Sequence, residues 1–234
     1  MRALLLAAGL GTRLRPLTDS MPKCLAPVHG KPLLHFWLTA LHDAGVGNLL
    51  VNTHYFPEQV TKFISESALA RQIAQVYEPE LLGTAGTLVR NIDFFEGEDG
   101  MLIHADNYCL ADLTAFLAAH AARPRHCLLT MLTFRTATPK TCGIVELDRE
   151  NVVKAFYEKL ANPPGNLANG AVYVLSAKLL AMMTNEFCAA KDFSIDVLPH
   201  LIGQIFAWET SATFIDIGTP ESYVLANSGS LHRA

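Results

Sequence analysis

What this 234-residue chain lacks narrows its chemistry before any motif is considered. Cysteine is sparse and unpatterned: Cys24, Cys109, Cys127, Cys142 and Cys188 include no CxxC pair. An odd, scattered set reads as reduced thiols in the cytoplasm, not as a disulfide frame or a zinc site. The histidines show no zinc-ligand spacing either. No segment approaches the roughly 18 continuous apolar residues of a membrane span. The N-terminal MRALLLAAGLGTRLRP imitates a secretion signal, but its apolar run, Ala3 to Leu10, is short and two glycines and two arginines crowd its end. Excess charge is missing too: a formal net charge of -4 gives no reason to expect nucleic acid or an anionic membrane as partner. Repeats, low-complexity tracts and linkers are absent, so one compact unit over residues 1–234 is expected, with shorter, turn-joined strands in its second half.

What is present is a hydrophobic half of the composition, ample for a core, and an alternation of strands and helices. Arg2–Ala7 is a continuous apolar run, as in a parallel strand buried on both faces. Leu34, Trp37, Leu38 and Leu41 recur at helical spacing, and Gly45 stands at a C-cap. Asn48–Thr53, Ile73–Tyr77 and Gly100–Ala105 read as further strands, Thr84–Asn91 as a short helix, and Asp112 as the cap of another. After about residue 140, strands are predicted at Gly143–Leu147, Val152–Glu158, Gly170–Leu175, Gln204–Glu209 and Thr213–Ile217. Helices are predicted at Ala177–Thr184, at Ser194–Ile202, and after Thr219-Pro220. The fold class is α/β: a Rossmann-like open, mostly parallel mixed sheet with helices on both faces. Ligands on such sheets bind beyond the carboxyl ends of the strands. The glycine loop after Ala7, the segment after Tyr77, and Asp106 all fall at such ends.

The glycine loop, Ala7-Ala8-Gly9-Leu10-Gly11-Thr12-Arg13-Leu14, is the most informative stretch. Glycines let the backbone turn tightly and approach a ligand, and successive N–H groups there hold phosphate oxygens. The dinucleotide fingerprint fails at Leu14, and the Walker A pattern lacks its glycine-lysine pair. A tight strand-to-helix turn explains the glycines equally well. The basic residues add more: Arg13, Arg15 and Lys23 crowd a segment stiffened by Pro16, Pro22 and Pro27. Arginine offers a bidentate fork to phosphate and lysine a compact charge.

These segments resemble the signature of the sugar nucleotidyltransferase family. Gly9 to Thr18, Pro22 to Val28 and Lys31-Pro32-Leu33 follow its pattern, as do Leu82 to Gly86, Asp106, Glu158-Lys159, Asn166–Tyr173 and Phe214–Thr219. The likeness runs through nearly the whole chain, in the family's order. It implies a nucleotide-binding part over about residues 1–140 and a sugar-binding part over about 141–234. It further implies a reaction in which a sugar-1-phosphate oxygen attacks the α-phosphorus of a nucleoside triphosphate and pyrophosphate leaves. Two polyanions must then meet, so positioning and charge neutralisation carry the catalysis.

The resemblance also assigns roles. Asp106 and Asp216 match the family's metal aspartates and would hold Mg2+, which takes one or two carboxylates along with phosphates and waters. Taken alone, each is also explained as a helix N-cap or a turn acid. Arg13 matches the contact to the triphosphate and Lys23 the lysine at the reacting phosphates. Ala8, Gly9 and Gly11 match backbone contacts to the nucleotide. Glu78, Gly83, Thr84 and Gly86 match the base and ribose segment. Asn107, Gly143, Glu158, Lys159 and Asn169 match the sugar-phosphate site, although Leu160 replaces the family's usual proline and an ordinary exposed pair also explains Glu158-Lys159. Asp196 is explained equally by a part in shaping the sugar pocket and by a helix start. The Leu82-Gly83-Thr84-Ala85-Gly86 form is most similar to the mannose-1-phosphate guanylyltransferase-like branch. The expected substrates are therefore GTP with mannose-1-phosphate or a related sugar such as a heptose. A uridylyltransferase, a cytidylyltransferase for a phosphorylated alcohol and a catalytically inactive nucleotide-binding subunit stand as alternatives. A homo-oligomer is compatible with the sequence.

Overall fold

The computed structural model describes residues 1–228. Along them the strands are β1 (Arg2–Leu6), β2 (Pro27–Val28), β3 (Lys31–Pro32), β4 (Asn48–Thr53), β5 (Ile73–Tyr77), β6 (Gly100–His104), β7 (Asn107–Cys109), β8 (Leu129–Arg135), β9 (Gly143–Leu147), β10 (Val153–Glu158), β11 (Leu167–Leu175), β12 (Ile205–Glu209) and β13 (Phe214–Asp216). The α-helices are α1 (Leu33–Asp43), α2 (Pro57–Ser65), α3 (Thr84–Arg90), α4 (Leu113–Ala122), α5 (Ala177–Asn185) and α6 (Pro220–Ser228). The class is the expected one, α/β with a mixed sheet. Among the described residues no helix is long and apolar enough to cross a membrane.

The chain divides into two compact units. The first, the loop unit, comprises Arg2–Leu81, Ile103–Leu113 and the chain from Ala212. Here β1 and β5 each run parallel to β4, in register Leu4↔Leu50 and Leu50↔Ala74. Ala3, Leu4 and Leu5 are fully buried, which is why β1 reads as an unbroken apolar run. In α1 the buried residues Leu34, Trp37, Leu38 and Leu41 form one stripe. Gly45, at φ 77, ends the helix, and Val46 N–H donates to Leu41 O. Helix α2 is not anticipated by the sequence reading. It buries only Val60 and Ile64, too few apolar positions to set a period, and Pro57 at its first position is its main signal.

The second unit comprises Leu82–Leu102 and Thr114–Ser211. β9 and β10 form an antiparallel hairpin. Its turn is closed by Asp148 Oδ1, which accepts from Glu150 N–H at 2.8 Å and Val152 N–H at 2.9 Å. β11 runs antiparallel to both β8 and β9, and β12 parallel to β8. β8 is another element the sequence reading does not provide. Six of its seven residues are buried, so it shows neither a period of two nor one of 3.6. β11 starts at Leu167, ahead of the predicted Gly170. Its register against β8 breaks between Asn169 and Tyr173, where Ala171 stands at φ 53. The helix expected over Ser194–Ile202 is absent. Phe193–Val197 makes one π-helical turn and Leu198–Leu201 one 3-10 turn, because Pro199 lacks the N–H that would extend an α-helical ladder.

Candidate active site

The glycine loop leaves β1 through Ala7, whose N–H donates to Asn52 Oδ1 at 2.7 Å. Asn52 Nδ2 in turn donates to Glu78 Oε1 at 3.1 Å. His54 Nδ1–H donates to Glu78 O at 2.8 Å. Asn52 and Glu78 are both buried, so a polar ladder stitches together the ends of β1, β4 and β5. Glu78 is among the residues expected at the site from sequence, and Asn52 is not. Its signal was available: an amide side chain inside the apolar run Leu49-Leu50-Val51-Asn52 needs a buried partner. Gly9 is exposed and a Cβ there would meet nothing within 4 Å, which leaves its backbone open to approach from outside. Gly11 is different. It sits at φ 62, and a Cβ would fall 2.9 Å from Thr18 Cγ2 and 3.1 Å from Lys23 Cβ. The buried Thr18 also donates from Oγ1 to Gly11 O at 2.8 Å. Thr18 therefore shapes the loop, a role the sequence reading does not give it.

Two strands distant in sequence bring the predicted metal aspartates together. β13 pairs antiparallel with β7 and places Asp216 opposite Asn107, next to Asp106. Trp37 Nε1–H donates to Asn107 O at 2.8 Å and pins that pair to α1. A buried apolar cluster that includes Leu14, Val28, Leu33, Tyr108 and Ile217 underlies it. Fully burying a side chain of that size contributes about 1.5–3 kcal/mol, so the loop and both short strands rest on one stabilised base. Above them Lys23, only 5% exposed, places Nζ 2.8 Å from Asp106 Oδ2 and 3.4 Å from Asp216 Oδ1. The Arg13 guanidinium lies over Gly218. A Cβ at 218 would fall 3.1 Å from Arg13 Nη2 and 3.3 Å from Asp216 Oδ1. Arg15 points to a different partner, Asp19, at 3.1 Å.

Enclosure pushes the Asp106 carboxyl up, but the Lys23 ammonium, then His104, then hydrogen bonds from Lys23 and its own backbone overcome it. The net result holds Asp106 below the usual carboxylate range. Its side chain remains 39% exposed and that of Asp216 49%, so both acids are reachable from outside. Among the described residues no three or more His, Cys, Asp or Glu side chains group to hold a metal. Two hard carboxylate oxygens converging on one point do suit Mg2+, which keeps waters and substrate phosphates in its other positions. The nearby Cys24 is no activated nucleophile: burial pushes its thiol up to about 12.

The second unit holds the other predicted residues. Gly143 lies opposite Glu158 in the β9–β10 ladder, and a Cβ there would fall 2.7 Å from Glu158 Oε2. Lys159, at φ 48, pairs its Nζ with Glu158 Oε1 at 3.1 Å and is 65% exposed. Asn169 is committed at both ends: Oδ1 accepts from Ala171 N–H at 2.9 Å, and Nδ2 donates to Tyr173 Oη at 2.7 Å. Gly83, at φ 80, begins α3, with Thr84 and Gly86 in the first turn. Thus Ala8, Gly9, Gly11, Arg13, Lys23, Glu78, Asp106, Asn107 and Asp216 lie in the loop unit. Gly83, Thr84, Gly86, Gly143, Glu158, Lys159 and Asn169 lie in the second.

A model of a family described as nucleotidyl transferase matches residues 2–233. Over 229 residues the chain is 31% identical to a mannose-1-phosphate guanylyltransferase of Mycobacterium tuberculosis, covering 95% of this chain and 62% of that protein. It is 28% identical to a D-glycero-alpha-D-manno-heptose 1-phosphate guanylyltransferase of Aneurinibacillus thermoaerophilus, with 95% of each chain covered. The crystal structure of HddC from Yersinia pseudotuberculosis complexed with GMP-PN superposes with a TM-score of 0.79 at 27% identity, over 97% of this chain and 98% of that one. A putative glucose-1-phosphate thymidylyltransferase from Bacillus anthracis gives a TM-score of 0.87 at 20% identity, over 97% and 94%. That last likeness concerns the fold alone. The chain spans about three fifths of the length of the mannose-1-phosphate relative.

Proposed function

Since the chain belongs to the nucleotidyl transferase family, we propose that it is a Mg2+-dependent sugar-1-phosphate guanylyltransferase, joining GTP to mannose-1-phosphate or a related heptose 1-phosphate and releasing pyrophosphate. The observation that carries this reading is the contact of one buried lysine, Lys23, with both Asp106 and Asp216. The choice of GTP and of a manno-configured sugar rests on the names of the two relatives and on the GMP-PN bound to HddC.

In this reading the barrier is repulsion between two polyanions, and the chain's residues reduce it by position and charge. Ala8, Gly9 and Gly11 offer backbone to the phosphates. Arg13 binds the triphosphate and balances the charge that builds on departing pyrophosphate. Lys23 sets its ammonium at the reacting phosphates, and Asp106 and Asp216 hold it there. Asp106 and Asp216 would also hold Mg2+, whose chemistry would be to supply neutralising charge at the phosphates. Glu78, Gly83, Thr84 and Gly86 contact base and ribose. Asn107, Gly143, Glu158, Lys159 and Asn169 serve the sugar phosphate. No protein nucleophile is needed, because the sugar phosphate oxygen itself attacks.

The test is pyrophosphate release with Mg2+ across a panel of nucleoside triphosphates and sugar 1-phosphates. GTP with mannose-1-phosphate or a heptose 1-phosphate is expected to lead the panel. Nucleotide binding without turnover of any pair would replace this reading with that of a non-catalytic nucleotide-binding subunit.

A further inference from the structure

The turn from Gly83 to Gly86 is shaped from outside itself. Lys191 O accepts from Ala85 N–H at 2.9 Å and, more weakly, from Gly86 N–H at 3.5 Å. Phe193 N–H donates to Thr84 Oγ1 at 2.7 Å. Gly83, at φ 80, has no side chain because a Cβ would collide with the Lys191 carbonyl. Two N–H groups in the first turn of α3, those of Ala85 and Gly86, are therefore spent on the strap from Ala190 to Phe193.

That strap is itself held by one carboxylate. Asp196 Oδ2 accepts from Lys191 N–H at 2.8 Å and Asp192 N–H at 2.9 Å. Asp192 reciprocates, its Oδ1 accepting from Ser194 N–H at 2.8 Å and Ile195 N–H at 3.0 Å. Phe193 anchors the far end: it is fully buried and packs on Tyr173 with ring centroids 5.0 Å apart. The two N–H donors, Asp192 first, also keep the Asp196 carboxyl below its ordinary range. A carboxylate held by a pair of backbone donors is a stiff joint, and it fixes the peptide whose carbonyl caps the turn.

We propose that Asp196 is a positioning residue for the nucleotide: through Lys191 and Phe193 it sets the shape of the Gly83–Gly86 turn and hence nucleotide affinity, without touching the substrate. This rests on the assignment of that turn to nucleotide binding made above.

The experiment compares wild type with Asp196→Ala and Asp196→Asn, reading KM for GTP, KM for the sugar phosphate, kcat, thermal midpoint and amide exchange at Ala85 and Lys191. Asp196→Ala is expected to raise the GTP KM about tenfold, the scale of one lost charge-assisted hydrogen bond, with sugar-phosphate KM and kcat close to wild type and faster exchange at both amides. Asp196→Asn keeps an acceptor oxygen and is expected to recover most of the affinity. An unchanged GTP KM in Asp196→Ala, or an equal rise in both KM values, overturns the proposal. If Asp196→Ala does not fold, Asp196→Asn decides by the same split, with a smaller GTP-specific rise expected. If wild type turns over no nucleotide, the proposed function fails on its own. The positioning role is then decided by GTP affinity from calorimetry in wild type and variant, where equal affinities overturn it.

Discussion

The Lys23 ammonium lies 2.8 Å from Asp106 Oδ2, inside a pocket that leaves the lysine side chain only 7% exposed. A lysine so placed cannot act as a loose surface cation. It is aimed at the two acids that would otherwise repel each other, and at whatever phosphate meets them. Lys23→Ala is expected to lower turnover by about 10²–10³-fold, the scale of removing one preorganised electrostatic donor. Steady-state kinetics beside a thermal melt checks this: a fall in the melting midpoint with turnover unchanged would make Lys23 structural.

Asp106→Asn and Asp216→Asn keep size and hydrogen-bonding capacity while removing one charge each. Each is expected to abolish Mg2+-dependent turnover and leave the circular dichroism spectrum unchanged. A binding readout is independent of turnover. A ligand that binds the folded chain stabilises it by mass action, so the proposed function predicts a melting midpoint that rises on adding Mg2+ with GTP and falls back with a chelator. In either Asn variant that Mg2+-dependent rise should vanish.

Much of this cluster was legible in the sequence, and the reason is local. The glycine loop, Lys23 between prolines, and each aspartate sit in short distinctive strings. What joins them is not local. Trp37 reads as core and is buried, but its bond to Asn107 O leaves no periodic trace. Thr18 and Asn52 shape the loop through partners across the fold. The strap that holds Gly83 likewise depends on Lys191, over a hundred positions away. Strand β8 and helix α2 escaped for opposite reasons: one is buried on both faces along six of its seven residues, threonines included, so it shows no alternation, and the other carries too few apolar residues to set a period.

Gly83→Ala tests whether that glycine is there for the strap. At φ 80 and ψ 173 Gly83 occupies a region essentially reserved for glycine, which costs an alanine about 1–3 kcal/mol, and the collision with the Lys191 carbonyl adds to it. Urea denaturation should show a loss above that floor, and amide exchange should show the strap released. Wild-type stability would mean that the carbonyl moves aside freely.

His120 predicts an acid limb in stability. It is buried, accepts from Thr130 Oγ1–H at 2.8 Å, and donates from Nε2 to Asp99 Oδ2 at 3.1 Å. Burial first, then the Arg123 charge, push its pKa below the ordinary value of 6.5, and the bond to and charge of Asp99 only partly restore it. As pH falls through 6.5 the unfolded chain takes the proton first, so stability drops. The loss ends once the folded imidazole is protonated too. Urea midpoints between pH 7 and pH 5 should therefore decline in wild type. In His120→Gln, which has no group titrating there, the decline should be shallower.

The most direct test is pyrophosphate release from GTP and mannose-1-phosphate or a heptose 1-phosphate, run with and without Mg2+, for wild type and Asp216→Asn side by side. The account predicts release only in wild type and only with the metal. Equal release by both proteins, or release that ignores Mg2+, would contradict it.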